Sequence, residues 1–140
     1  LDGGFKGPGW QGPNLMSSLR GVPAAIAAKS YRGRKAIWQQ LLHAAYWKHR
    51  ILRKFTGDSS IRFPRRAVNW APVPTPADEA AWQADLAMLL DLHERLRAAV
   101  AKAPAKQLTP KNLWLLHGIA AHDVYHAGQI NLLRRLLNVR

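Results

Sequence analysis

Ala121-His-Asp-Val-Tyr-His-Ala-Gly-Gln-Ile130 places two histidines, His122 and His126, four residues apart. On a helix that spacing stacks both imidazoles on one face, as a two-ligand metal clip requires. Any such pair shares a face, so the question is which face it occupies. At 3.6 residues per turn the apolar stripe of this segment runs through Leu115, Ile119, Leu133 and Leu136, with both histidines inside it. His117, Asn131 and Arg135 take the opposite side. The pair is therefore expected to point into the core. Two buried neutral imidazoles with unmet ring nitrogens would cost about 1–3 kcal/mol each. A divalent metal removes that cost at both rings, and imidazole is a common ligand for zinc, nickel and copper. The alternative is a pair of core histidines bonded to a tyrosine or a backbone carbonyl, the ordinary fate of one isolated buried histidine.

A third ligand has to come from another helix. In Ala36-Ile-Trp-Gln-Gln-Leu-Leu-His-Ala-Ala-Tyr-Trp-Lys-His-Arg50, the residues Ile37, Leu41, Ala44, Ile51, Leu52 and Phe55 make a core face. His43 lies at its margin beside Trp47, a placement that suits a pocket between helices. Periodicity leaves His93 in competition, because it is central in the stripe Trp82, Leu86, Leu89, Leu96 and Val100. A lone core histidine usually packs and bonds once without binding anything. His49 and His117 project from polar faces and are expected in solvent.

Three long helices punctuate the chain. One runs over about 33–56 and ends where Gly57-Asp-Ser-Ser60 breaks the pattern. The next is announced by Thr75-Pro76, with Thr75 as N-cap and Asp78 in the capping-box position, and fades near Ala103-Pro104. The last starts at Thr109-Pro110 and continues to about Asn138. Between the first two lies a Pro- and Arg-rich loop, about 57–74, long enough to be a crossover between parallel neighbours. Near the start, Asp2-Gly-Gly-Phe-Lys-Gly-Pro-Gly9 is too glycine-rich to be expected to hold a helix. The chain begins at Leu1 without a methionine, so residues upstream of it are expected.

With 140 residues and 48% hydrophobic content, residues 1–140 read as one domain with a core of its own. The absence of cysteine excludes disulfides, zinc-thiolate sites and a thiol nucleophile of the chain's own. No apolar run approaches the roughly 20 residues of a membrane span, and a cytoplasmic protein is the default expectation. The net charge of +13 is uneven. Lys29, Arg32, Arg34, Lys35, Lys48, Arg50, Arg53, Lys54, Arg62, Arg65 and Arg66 meet only Asp58 in their span, whereas Asp78, Glu79, Asp85, Asp91 and Glu94 gather in the next helix. Such a field attracts phosphate backbones or small acidic metabolites, or simply keeps the protein dissolved. Nucleic acid ranks last as a partner, because no recognition module is present and Trp38, Trp47, Trp82 and Trp114 are expected in core stripes.

Several segments together resemble the DinB-like family, also described as DinB/YfiT-like metalloenzymes. They are Trp10-Gln-Gly-Pro13, Ile37-Trp-Gln-Gln-Leu-Leu-His43, Asn69-Trp70, Trp82, and His117-Gly-Ile-Ala-Ala-His-Asp-Val-Tyr-His-Ala-Gly-Gln-Ile130, the last being the most specific. The resemblance covers nearly the whole chain. It implies an all-α four-helix bundle of up-down-down-up topology, here with its first helix short or truncated. It also implies that one divalent metal, zinc or nickel foremost, is bound by His43, His122 and His126, leaving His93 no ligand role. Members of that family are often homodimers, and some act with low-molecular-weight thiols as transferases or isomerases.

Three imidazoles leave an ion with open positions, the layout of a catalytic site, where a bound water or thiol becomes acidic near neutrality. Gln129, one turn after His126, could orient a ligand. Asp123 faces about 100° from the ligand stripe, so the carboxylate base of a His-Glu-x-x-His hydrolase is not evident. The leading expectation is a metal-dependent enzyme, a thiol S-transferase before a hydrolase, acting on a small anionic thiol whose carboxylates the basic rim would hold. The alternative is a non-catalytic, stress-related bundle that the metal staples together.

Overall fold

Residue 57 shows how local chemistry sets the elements. Gly57 has φ of 74°, a left-handed conformation that glycine adopts without penalty, and its N–H returns to the Arg53 carbonyl to end the helix Ile37–Thr56. The computed structural model describes residues 1–139. In them six α-helices follow one another, three short and three long, with a turn of 3-10 helix before the last and no strand.

The short ones are α1 (Asp2–Phe5), α2 (Leu15–Leu19) and α3 (Ala24–Ala27). The turn at α1 departs from the expectation that this glycine-rich stretch holds no helix. A Cβ at Gly4 would stand 2.7 Å from the Ala120 carbonyl oxygen, so glycine lets the turn sit directly on the last helix while Phe5 is fully buried. Tertiary burial outweighs the weak local propensity. In α2 the Asn14 side chain accepts the Ser17 N–H (2.8 Å) and the Ser17 hydroxyl accepts the Asn14 N–H (3.0 Å), a reciprocal cap.

The long helices are α4 (Ile37–Thr56), α5 (Glu79–Ala101) and α6 (Pro110–Leu136). α4 is central and packs against both others. All six core-face residues named for it, from Ile37 to Phe55, are buried. α6 begins as expected, with Thr109 Oγ1 accepting the Asn112 N–H and Pro110 in the first turn. α5 begins later than expected. Its N-cap is Asp78, whose carboxylate accepts the Ala81 N–H at 2.8 Å, and Thr75 lies outside the helix. A charged acceptor at the positive end of the helix dipole caps better than a hydroxyl three residues upstream. Trp38 of α4 meets Trp82 and Asp85 of α5, so the starts of these two helices lie together, as the crossover loop allows.

Burial corrects three expectations. His49 is 3% exposed, with Nε2 bonded to the Ile61 carbonyl oxygen (2.9 Å), because the crossover loop lies over what reads as a polar face of α4. Lys48 is fully buried against Phe5 and pairs with Asp123 at 2.6 Å, so it is not part of a solvated basic face. Trp114 is 73% exposed and Trp47 36%, where core positions were expected. Both flank an open groove that no described element covers. His117 is exposed, as its polar face indicates. No helix among the described residues is long and apolar enough to cross a membrane.

Candidate metal centre

The i, i+4 spacing on α6 and the margin position on α4 bring three imidazoles together. His122 Nε2 lies 3.1 Å from His43 Nε2 and 3.0 Å from His126 Nε2. His43 and His126 are buried and His122 half-buried. No carboxylate joins this cluster among the described residues.

The outer nitrogens decide the tautomers. His43 Nδ1 donates to the backbone carbonyl of Asn69 at 2.6 Å, and His126 Nδ1 donates to Gln40 Oε1 at 2.5 Å. Both rings then present bare Nε2 lone pairs inward. His122 can place at most one proton between two such acceptors. Further protonation is opposed. Burial pushes His43 below its ordinary value against the pull of the Asn69 carbonyl. Burial, then the His43 imidazole and Lys48, pushes His122 down to about 4. Burial followed by repulsion from His122 and His43 takes His126 to about 3. Near neutral pH the cluster is thus a set of converging lone pairs without a cation of its own.

A divalent ion fits that donor set. With metal–nitrogen bonds of about 2.0–2.1 Å and tetrahedral angles, neighbouring imidazole nitrogens stand about 3.3 Å apart, close to the separations found here. The Nδ1–H bonds of His43 and His126 are the outer bonds that metal-ligating imidazoles usually make. His122 Nδ1 is buried without a partner.

The crossover loop completes the site. Trp70 stacks on His43 with ring centroids 3.9 Å apart and planes within 7°. Asn69 holds His43 through its carbonyl and Trp47 through its side chain, whose Oδ1 accepts the indole N–H at 2.9 Å. Sequence reasoning had not assigned these roles. The amide that meets the cluster is that of Gln40 and not Gln129. Gln40 lies three residues before His43 and so shares its helical face, a signal that a wheel of α4 contains.

The remaining histidines serve elsewhere. His93 is fully buried, stacks on Phe5 (centroids 3.7 Å) and bonds Asp2 Oδ1 through Nε2 at 2.9 Å. It behaves as a packed core histidine outside the cluster. Asp123, next in sequence to His122, turns away to Lys48 and offers no base to the cluster.

A family model described as the DinB superfamily matches residues 14–130. The match takes in all three clustered histidines, Gln40 and Asn69-Trp70, and leaves out α1 and Trp10-Gln-Gly-Pro13. No curated protein and no solved structure matches the chain.

Proposed function

The chain belongs to the DinB superfamily, and on that premise we propose that His43, His122 and His126 hold one divalent transition-metal ion, zinc or nickel, in a metal-dependent enzyme. The observation that carries this reading is the inward convergence of three Nε2 atoms while two of the outer nitrogens are tied as donors. Bound by three neutral imidazoles, such an ion would supply Lewis-acid chemistry, drawing the pKa of a water or thiol toward neutrality. Gln40 and the Asn69 carbonyl hold the imidazoles in the tautomer that binding needs, and Trp70 covers His43.

Transfer of a low-molecular-weight thiol suits the site better than hydrolysis. Among the described residues no carboxylate joins the cluster, Asp123 being engaged by Lys48, and a thiol needs less help than water to lose its proton. The thiol is brought by the substrate, because the chain has no cysteine. In the transfer its S–H proton leaves to solvent, the sulfur bonds an electrophilic carbon, and the leaving group departs with the bonding pair. Lys35, with Nζ 5.7 Å from the Trp70 ring centroid, is a cation one ring removed from His43 and suited to a substrate carboxylate. The up-down-down-up bundle, with α1–α3 in the place of the first helix, and a homodimer belong to the same proposal.

A second reading, in which the ion only staples α4 to α6, has support in the cluster's position between those helices. The first test is elemental analysis of untagged protein, wild type against His122→Ala. About one ion per chain, lost in the variant, is expected for three-histidine sites. Absence of metal from the wild type, including after reconstitution, defeats both readings. A cobalt spectrum that shifts with thiols favours the enzyme, and an unresponsive one favours the staple.

A further inference from the structure

Two rows of side chains spaced four apart leave the cluster in the same direction. On α4 the row is His43, Trp47 and Ile51, and on α6 it is His126, His122, Gly118 and Trp114. Beyond the histidines the rows do not close. They bound a groove of about 230 Å³ lined by Trp47, Ile51, Trp114, Leu115, Ile119 and His122. Apart from the imidazole at its inner end, the lining is apolar.

Gly118 makes the gap. It stands midway between Trp114 and His122 in the α6 row, and a Cβ there would meet nothing within 4 Å. Glycine is the poorest helix former after proline, and no close approach requires it at 118. What its missing side chain provides is the open floor of the groove. Trp114 stands 73% exposed on one side, apolar surface of the kind that marks binding sites when it borders a groove. Trp47, on the other side, is held through its indole N–H by Asn69, the residue whose carbonyl also orients His43. Groove wall and candidate metal ligand are thus positioned by one loop residue.

We infer that this groove is a substrate subsite of the candidate metal centre and takes an apolar, one- or two-ring group carried by the substrate. The size sets the class. An apolar cavity of about 150 Å³ accommodates benzene, and pockets for drug-sized ligands begin near 300 Å³, so about 230 Å³ lies between. The chemistry agrees, because flat indole faces favour aromatic partners and the lining besides the two tryptophans and His122 is aliphatic or glycine. The substrate assignment rests on the metal-enzyme reading above. Occupation of the groove does not.

The test therefore has two arms. In the first, binding of 2-naphthol is followed by its own emission in metal-free protein. Wild type is expected to bind. Gly118→Leu, which fills the floor, and Trp114→Ala, which removes a wall, are expected to weaken binding roughly tenfold or more. Gly128→Leu is the matched control, since Gly128 also faces open space on α6 but lies outside the groove, and it should bind as wild type does. In the second arm, cobalt-loaded protein is titrated with naphthalene-2-thiol and with ethanethiol while the metal spectrum is read. A preference of roughly tenfold for the aromatic thiol, collapsing in Gly118→Leu, is expected. Should that variant fail to fold, Trp114→Ala carries both arms, as its side chain is mostly in solvent.

No 2-naphthol binding by wild type, or equal binding by all variants, overturns the groove assignment while leaving the metal centre standing. Groove binding together with a silent cobalt spectrum keeps the groove and removes the enzyme reading on which the substrate class rests. A wild-type dimer that Gly118→Leu dissociates would show that a second copy of the chain covers the groove, and would overturn the inference.

Discussion

His122 and His126 face His43 with no carboxylate among them, whereas Asp123, between them in sequence, receives Lys48 at 2.6 Å. The two regions share α4 and α6, yet they balance charge differently. Around Lys48 the charges are paired: Lys48 has Asp123, and Asp2 takes Arg97 (2.8 Å) together with a hydrogen bond from the neutral His93 imidazole (2.9 Å). Burial pushes the Lys48 pKa down and that of Asp123 up, and each is opposed by the charge and hydrogen bond of its partner. The ion-pair region is internally complete in charge. The histidine cluster brings three ring nitrogens together with no acidic partner among the described residues, a donor set compatible with a metal ion.

The largest expected effect breaks the internally balanced side. Lys48→Met leaves Asp123 buried without its partner and should cost about 3–5 kcal/mol in urea denaturation. The double variant Lys48→Met/Asp123→Leu should recover most of that loss, because an apolar pair of similar volume removes both desolvation penalties. If the double variant is no better than the single, the pair has a role beyond mutual balance.

Next in size is the effect of metal on the other region. Adding zinc at a free concentration 100 times its dissociation constant should stabilise the metal-free protein by about 2.7 kcal/mol. His43→Ala should lose that gain, and His93→Ala should keep it. The reverse pattern would move the site to His93.

Arg65→Ala comes third, at about 1–2 kcal/mol. It removes one of two partners of the buried Asp85, which keeps the Trp38 indole N–H at 2.7 Å. A measurable loss of stability would show that Arg65 holds the crossover loop to α5. Nucleic-acid tests of the basic surface would then use Arg66 alone.

The smallest concerns pH. His93 is kept neutral in the folded protein, its pKa pushed down from 6.5 to about 4 chiefly by burial and despite the Asp2 bond. The unfolded chain takes up that proton first, so the contribution is complete above about pH 6.5 and is lost as pH falls toward 4. Asp2 has its pKa lowered from 3.8 to about 2, mainly by hydrogen bonds from His93 and Arg97, and its contribution is lost only as pH falls from about 3.8 toward 2. Between pH 7 and pH 5, metal-free wild type should therefore lose stability more steeply than His93→Gln. Equal slopes would mean that His93 is not held neutral.

Much of the α4–α6 framework was readable in advance. Apolar spacing along 37–55 and 115–136, the Thr109-Pro110 start and the Gly57 stop are local signals, and each acts as read. The His122/His126 pair was legible for the same reason. His43 was not separable from His93 by periodicity, and only the family resemblance preferred it. A helical wheel reports the direction of a side chain from its own axis and nothing about what lies in that direction. His49 therefore read as solvated until the loop covered it, and Trp114 as core although it stands 73% exposed at the rim of a groove.

By itself the sequence determined the all-helical class, the long helices and two of the clustered imidazoles, because these follow from periodicity and capping within a single segment. Tertiary structure alone decided that His43 completes the cluster, that Gln40 and Asn69 fix the tautomers, that Lys48 is buried with Asp123, and that Gly118 opens a groove beside His122. Each of these depends on the distance between residues far apart in the chain, and that distance is set by how the helices and the crossover loop pack.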